Sequence, residues 1–184
     1  PNSRQHCLGL AVAALPPILL YPSAKRWFGY PQAVLAIGWG FAVLIPWAAA
    51  TGSLSANPGL SGCWLATLFW TFGFDTVYAM ADRRDDALIG LRSSALTLGQ
   101  KVQSCVRVCY GLMAAALALA AATVQVHPVF WPIWLVTTAL MQRSCRPLNS
   151  GEADIKSFGL HFQQQVRLGS LLLVGLILSR SLVG

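Results

Sequence analysis

Leu112-Met-Ala-Ala-Ala-Leu-Ala-Leu-Ala-Ala-Ala-Thr-Val-Gln-Val126 is a run of fifteen residues without a charge. It shows neither the alternation of a membrane-barrel strand nor the one-sided stripe of a surface helix. A segment that is apolar all round reads as a helix surrounded by lipid or by other helices. The rest of the chain agrees. Of its 184 residues 55% are hydrophobic and only 10% charged, against about 25% charged in soluble domains; the mean hydropathy is +0.58. That composition excludes a disordered chain, a nucleic-acid binder and an ordinary soluble globule, and leaves an integral membrane protein built of helices.

A spanning helix needs about 20 residues, so the length accommodates six or seven. Apolar spans are predicted at 8–24, 33–51, 60–81, 105–125, 128–142 and 165–183, an all-α polytopic bundle in one membrane domain over 1–184. Gly52, Asn57 and Pro58 mark a turn after the second span, and His127-Pro128 separates the fourth from the fifth. The fifth is short for a full crossing. Lys25, Arg26, Arg83, Arg84, Arg92, Lys101, Arg107, Arg143, Arg146, Lys156 and Arg167 fall on one side, and only Arg4 and Arg180 on the other. The positive-inside rule assigns the first side to the cytoplasm, so the net charge of +7 reflects topology rather than a nucleic-acid partner. Trp27, Trp47, Trp64 and Trp131 lie near span ends as interfacial anchors, whereas Trp39 and Trp70 lie deeper and are expected to face the bundle interior. Cys7, Cys63, Cys105, Cys109 and Cys145, odd in number and in or beside apolar segments, suit packing better than a disulfide framework.

Four of the six acidic residues, Asp75, Asp82, Asp85 and Asp86, lie within twelve positions at the cytoplasmic end of the third span. On a continuous helix Asp75, Asp82 and Asp86 point within about 40° of one another, and Tyr78 and Asp85 widen the stripe to about 100°. Carboxylates stacked on one face repel unless a cation sits among them. A hard divalent ion such as Mg²⁺, which keeps waters and takes phosphate oxygens as further ligands, meets that need. The bland alternative is a solvated helix end whose acids offset Arg83 and Arg84. Asp75 argues against it, because an ionisable group inside a span is costly and usually lines a polar cavity. Lys25 and Arg26 close the first span on the same side. They read either as a phosphate-holding pair or as a plain positive-inside anchor. Cys105 and Cys109 share a face but have no histidine beside them, so they read as packing. His127 is expected at the outer interface, and His161 in a polar cytoplasmic linker from Glu152 to Gln165. The small residues Ala114 to Ala122 permit close helix packing.

Tyr21-Pro-x-x-Lys25-Arg26-x-x-x-Tyr30-Pro31-Gln32, followed by Asp75-Thr-x-Tyr78-Ala-x-x-Asp82-x-x-Asp85-Asp86-x-x-Ile89-Gly90-x-x-Ser93, resembles the UbiA family of intramembrane aromatic prenyltransferases, over nearly the whole chain. Within the family it is most similar to members that act on 4-hydroxybenzoate. The tail Phe162-Gln-Gln-Gln-Val-Arg167-Leu-Gly-Ser resembles their bacterial, cyanobacterial branch. The resemblance implies nine helices around a cavity open to lipid, and two Asp-rich motifs whose Mg²⁺ ions hold a polyprenyl diphosphate. It implies transfer of the polyprenyl group to the ring of 4-hydroxybenzoate, ortho to the hydroxyl, in ubiquinone or plastoquinone biosynthesis at the plasma membrane. Asp82 and Asp86 match the second motif and Asp85 stands beside them; Tyr21 and Lys25 match a Tyr-x-x-x-Lys element that contacts diphosphate. Arg26 and Arg92 join Lys25 as candidates to neutralise phosphate oxygens. Trp39, Trp70 and Tyr78 are candidates to face an allylic cation, and Asp75 to contact substrate or take up the ring proton. No protein partner is inferred. The family's first motif, Asn-Asp-x-x-Asp, is missing. Six spans in place of nine lead to the expectation that the chain holds helices four to nine, the carboxy-terminal two-thirds, and is inactive alone. Two alternatives stay open: another acceptor of homogentisate type, and a membrane cation transporter.

Overall fold

Asn57-Pro58 starts the helix around which the others gather. Pro58 occupies the first turn, where its missing N–H costs nothing. The Asn57 side-chain oxygen accepts from the Gly59 and Leu60 amides at 2.7 and 3.3 Å, capping the helix. The structure, a computed structural model, describes residues 3–55, 57–149 and 155–183. Among these residues it is all helix, without strands: α1 (Ser3–Trp27), α2 (Pro31–Thr51), α3 (Pro58–Ala81), α4 (Arg83–Leu88), α5 (Ser94–Leu98), α6 (Val102–Thr123), α7 (Phe130–Ser144) and α8 (Ile155–Val183). The six longest fall on the six predicted spans, and the turns at Gly52 and His127-Pro128 lie where the sequence places them.

Four stretches among the described residues, Arg4–Trp27, Pro31–Thr51, Ser94–Thr123 and Ser157–Leu182, are long and apolar enough to cross a membrane. α3 has the length, about 36 Å at 1.5 Å per residue, but its glycines, hydroxyl residues and Asp75 dilute its apolarity. The 15 residues of α7 reach about 22 Å, short of the roughly 30 Å hydrocarbon core.

α3 packs against α2, α6 and α8; α1 packs chiefly on α2, and α7 on α8 and α6. The α3–α6 approach is the closest. A Cβ added at Gly62 would stand 2.6 Å from the Ala116 carbonyl oxygen and 2.8 Å from the Ala120 Cβ, so glycine against the alanine run is what lets these backbones meet. Val106, Tyr110, Met113, Met141, Leu168 and Leu172 fill the core beside that seam. Leu8, Val12, Leu15 and Leu19 on α1 and Leu173, Ile177 and Leu182 on α8 are exposed, as suits helices bathed in lipid.

Two expectations are corrected. Trp39 is 57% exposed on the outside of α2; it does not face the bundle interior, because the small Gly40 beside it is the residue turned toward α3, against Trp64. The stretch toward Gln165 is no linker: α8 runs unbroken from Ile155. Its polar residues His161 and Gln165, one turn apart, are both buried and hydrogen-bonded, so polarity there marks an inner face. Arg167 consequently lies some 18 Å along α8 rather than in a loop. Glu152 and Asp154 lie outside the described residues, as does the side chain of Lys156.

Candidate functional site

The connections that follow α1, α3 and α7 lie at one end of the bundle, where Gln103 Nε2 at the start of α6 donates to the Cys145 and Arg146 carbonyls at 3.2 and 2.9 Å. The acidic segment is at this end. It is not one continuous helix face: α3 stops at Ala81, and Asp82, with φ −90° and ψ 2°, is the joint from which α4 starts. The Asp86 amide still donates to the Asp82 carbonyl at 2.8 Å, which keeps the two acids one turn apart. Asp86 is 5% exposed, and its Oδ2 is buried without a hydrogen-bond partner. Asp82 is half-buried and Asp85 exposed.

α1 brings a second set of groups. The Tyr21 hydroxyl donates to Asp75 Oδ2 at 3.2 Å, and Tyr21 also lies within electrostatic range of Asp86 and Tyr78. Lys25, one turn further on, acts electrostatically on Asp75, as does Asp82. Tyr21 and Lys25 of α1, Asp75 and Tyr78 of α3, Asp82 at the joint and Asp86 of α4 are therefore brought together, across 54 residues of chain at the Tyr21–Asp75 contact. Arg26 is exposed. Arg92 is engaged elsewhere: its Nη1 donates to the Trp27 carbonyl at 3.0 Å and its amide to the Lys25 carbonyl at 2.6 Å.

Arg92 belongs to a segment whose role the sequence did not reveal. Gly90, at φ +73°, makes the left-handed turn that glycine adopts without strain. Ser93 then caps α5, its hydroxyl accepting from the Leu96 amide at 3.3 Å. The Ser94 amide donates to Gln32 Oε1 at 2.8 Å, Ser94 and Thr76 hydroxyls bond at 2.7 Å, and Thr97 Oγ1 donates to the Gly29 carbonyl at 2.7 Å. Gln32, Thr76, Ser93 and Ser94 are all buried. Tyr30-Pro31-Gln32 thus serves the architecture: Pro31 starts α2 and Gln32 holds α5.

A cavity of about 540 Å³ opens between the end of α3 and the start of α8. Asp82 and Tyr78 lie on one wall with Phe74, and Phe158, His161 and Phe162 on the other. Phe74 and Phe162 pack with ring centroids 4.6 Å apart. Trp70, half-buried in the interior as expected, stacks edge-on to Phe74 and fills the notch left by Gly169. Behind the cavity His161 Nδ1 pairs with the Ser144 carbonyl at 3.2 Å, its Nε2 with the Tyr110 hydroxyl at 3.1 Å, and Gln165 Nε2 donates to Ser144 Oγ at 2.8 Å. The carbonyl fixes the proton on Nδ1, so Nε2 accepts from tyrosine. A histidine and a glutamine at i, i+4, on one face of the helix, are the signal that could have found this network.

These groups suit a diphosphate and a divalent cation. Among the described residues no three His, Cys, Asp or Glu side chains gather as a metal cage. A site of one or two carboxylates completed by phosphate and water is how Mg²⁺ is usually held, and the unpaired, buried Asp86 Oδ2 is an acceptor lacking its partner. Asp82 and Asp86 fit the ion and Lys25 the remaining oxygens, while Tyr21, whose hydroxyl donates to Asp75, holds that carboxylate in place.

The model of the UbiA prenyltransferase family matches residues 3–146. A 4-hydroxybenzoate solanesyltransferase of Synechocystis sp. is 43% identical over 92% of this chain and 57% of its own length. 4-Hydroxybenzoate octaprenyltransferases of Acidovorax ebreus and Burkholderia vietnamiensis are 38% and 40% identical over 73% and 68% of the chain, and 44% and 42% of their own. The chain thus spans about half the length of the curated relatives it matches. No solved structure matches it significantly. An all-helical bundle of apolar helices, acids and a lysine converging at one end, and a family match over most of the chain lead to one conclusion: the chain belongs to the UbiA prenyltransferase family.

Proposed function

We propose that this chain forms the greater part of an aromatic prenyltransferase that moves a polyprenyl group from its diphosphate to the ring carbon of 4-hydroxybenzoate ortho to the hydroxyl, in quinone biosynthesis. The observation that carries the reading is Asp86, buried with an unpaired carboxylate oxygen, one turn from Asp82 and within electrostatic range of Tyr21. The relatives' names supply the acceptor and the length class of the donor. In this reading the six long helices take the last six places of a nine-helix fold, and helices upstream of them carry the first Asp-rich motif. The site faces the cytoplasm, the side on which the basic residues gather.

Mg²⁺, held by Asp82 and Asp86 with Asp85 beside them, would supply charge neutralisation for the departing diphosphate. Lys25 neutralises further phosphate oxygens, and Arg26 adds a second cation at the same rim. Tyr21, its hydroxyl donating to Asp75, borders the same region. As the allylic carbon–oxygen bond breaks, positive charge develops on the prenyl carbon. Tyr78, Phe74 and Phe162 present aromatic faces in a water-poor cavity that favour it. The ring carbon then bonds to the prenyl carbon and loses its proton, which restores aromaticity; Asp75 is the candidate acceptor. A donor that is itself a lipid explains why the chemistry sits inside a membrane bundle.

The test is transfer of a radiolabelled polyprenyl group to 4-hydroxybenzoate in membranes, with Mg²⁺ present or chelated. This chain is compared with a form extended at its amino end. Transfer by the extended form alone, lost on chelation and in Asp82→Asn, is the expected result. Full turnover by Asp82→Asn at saturating Mg²⁺, or transfer by neither form, overturns the reading.

A further inference from the structure

α1 carries the cations of the site, whereas Asp75 lies on α3, Asp82 at its end and Asp86 on α4; yet α1 packs along α2. Tyr21 to Asp75 is the direct side-chain bond between α1 and α3 among the described residues. A lysine and two carboxylates that share one diphosphate must be held in register to a fraction of an ångström, and a single 3.2 Å contact does not achieve that.

The segment Arg92–Thr97 does. It takes the carbonyls of residues 25, 27 and 29 in turn, through the Arg92 amide, Arg92 Nη1 and Thr97 Oγ1 at 2.6, 3.0 and 2.7 Å. It then binds the buried Gln32 through the Ser94 amide. On its other face Ser94 bonds Thr76, the neighbour of Asp75 on α3. The connections close a ring: α1 to α3 at Tyr21–Asp75, α3 to α5 at Thr76–Ser94, and α5 to the α1–α2 turn at Gln32 and Gly29. Three members of that ring, Gln32, Thr76 and Ser94, are at most 1% exposed, so their bonds are protected from water, while Arg92 to Trp27 and Thr97 to Gly29 lie at the exposed edge. The last carbonyls of α1, which a helix end leaves unsatisfied, are used to hold it in place.

We propose that Arg92–Thr97 is a positioning strap: it sets Lys25 against Asp82 and Asp86, and so fixes diphosphate affinity without touching the ligand through Gln32 or Thr97. The proposal rests on the reading of this end as a diphosphate site, and its test has two independent arms. Thr97→Val keeps the shape of an exposed side chain while removing the hydroxyl; Thr97→Ser restores it; Gln32→Leu strips the acceptor from the Ser94 amide. In the first arm, nitroxide labels at the exposed positions Ser23→Cys and Ala87→Cys, with the native cysteines replaced, report the α1–α4 distance by pulsed electron paramagnetic resonance. In the second, binding of inorganic pyrophosphate with Mg²⁺ is measured by calorimetry on the amino-extended form.

Thr97→Val should broaden the distance distribution and weaken pyrophosphate binding roughly threefold to tenfold, the weight of one hydrogen bond, and Thr97→Ser should restore both. Gln32→Leu should do more in each arm. An unchanged distance distribution in Thr97→Val and Gln32→Leu overturns the strap. So does a broadened distribution with pyrophosphate bound as tightly as before. If the unsubstituted amino-extended form binds no pyrophosphate, it is the diphosphate reading that fails, and the distance arm still decides the strap.

Discussion

Asp86→Asn should make this protein more stable and useless for its proposed ligand. The carboxylate is 5% exposed, and its Oδ2 has no partner. A buried charge without compensation is costlier than an amide of the same shape. The difference between an unsatisfied charged and an unsatisfied neutral group is about 1 kcal/mol or more. For a chain of this size that corresponds to about 2–4 °C in melting temperature. The opposite effect appears when Mg²⁺ and pyrophosphate are added. A ligand at 100 times its Kd stabilises the protein that binds it by about 2.7 kcal/mol, and Asp86→Asn forfeits that gain. Thermal unfolding in detergent, followed by tryptophan fluorescence with and without the two ions, should show the curves crossing: the variant melts higher without ligand and lower with it. A variant that melts below the unsubstituted chain in the absence of ligand, or that keeps the full ligand-induced shift, would refute the idea that Asp86 is held in reserve for a cation.

Other substitutions probe the frame. Gly62→Ala places a methyl 2.6 Å from the Ala116 carbonyl; such overpacking costs about 1–3 kcal/mol and should lower the melting temperature, whereas Gly9→Ala, with open space around it, should not. His161→Leu leaves the Tyr110 hydroxyl and one bond of the Ser144 carbonyl without a partner, at roughly 1–3 kcal/mol each, so it should loosen α8 and raise hydrogen exchange along α7 and α8 before α1 or α2. Cys145, in the turn after α7, is fully buried, and burial pushes its thiol up to about 11. The unfolded thiol ionises near pH 9 and so binds fewer protons than the folded one above that pH. The Cys145 contribution is therefore intact below pH 9 and falls away as pH rises toward 11; alkaline unfolding curves of the unsubstituted chain and Cys145→Ala should converge over that range.

Much of this was legible without coordinates, for a physical reason. Lipid-facing helices must be apolar over their whole length, so α1, α2, α6 and α8 announce themselves by hydropathy, and Gly52 and His127-Pro128 punctuate them. The acids and Lys25 stand out because charge inside an apolar chain is rare. The inner faces were less legible. Periodicity carried a continuous helix through Asp82, because nothing in Ala81-Asp82-Arg83 breaks a helix by propensity; the break comes from the tertiary bonds that pull the following segment toward Gln32 and the end of α1. The same blindness put His161 in a linker, since hydropathy counts a buried, paired histidine and a solvated one alike. Trp39 failed for a related reason: depth along a span says nothing about which way the side chain turns.

The Gln32–Ser94 bond explains why a motif can be longer than its chemistry. Of the residues that carried the family resemblance, Asp82, Asp86 and Lys25 have a proposed job at a diphosphate, and Tyr21 one beside it. Tyr30, Pro31, Gln32, Gly90 and Ser93 have none, and read from sequence alone they look like ballast. In the structure Pro31 starts α2, Gln32 receives the Ser94 amide, Gly90 turns the chain and Ser93 caps α5. A site assembled from α1 and the α3–α4 joint, which barely pack on each other, needs such residues as much as it needs its ligands. It follows that substitutions at Gln32 or Ser93 should act on affinity through the spread of Lys25–Asp86 distances. Substitutions at Asp86 should act on it with those distances unchanged, and a comparison of the two classes separates the holding of the ligand from the holding of the site.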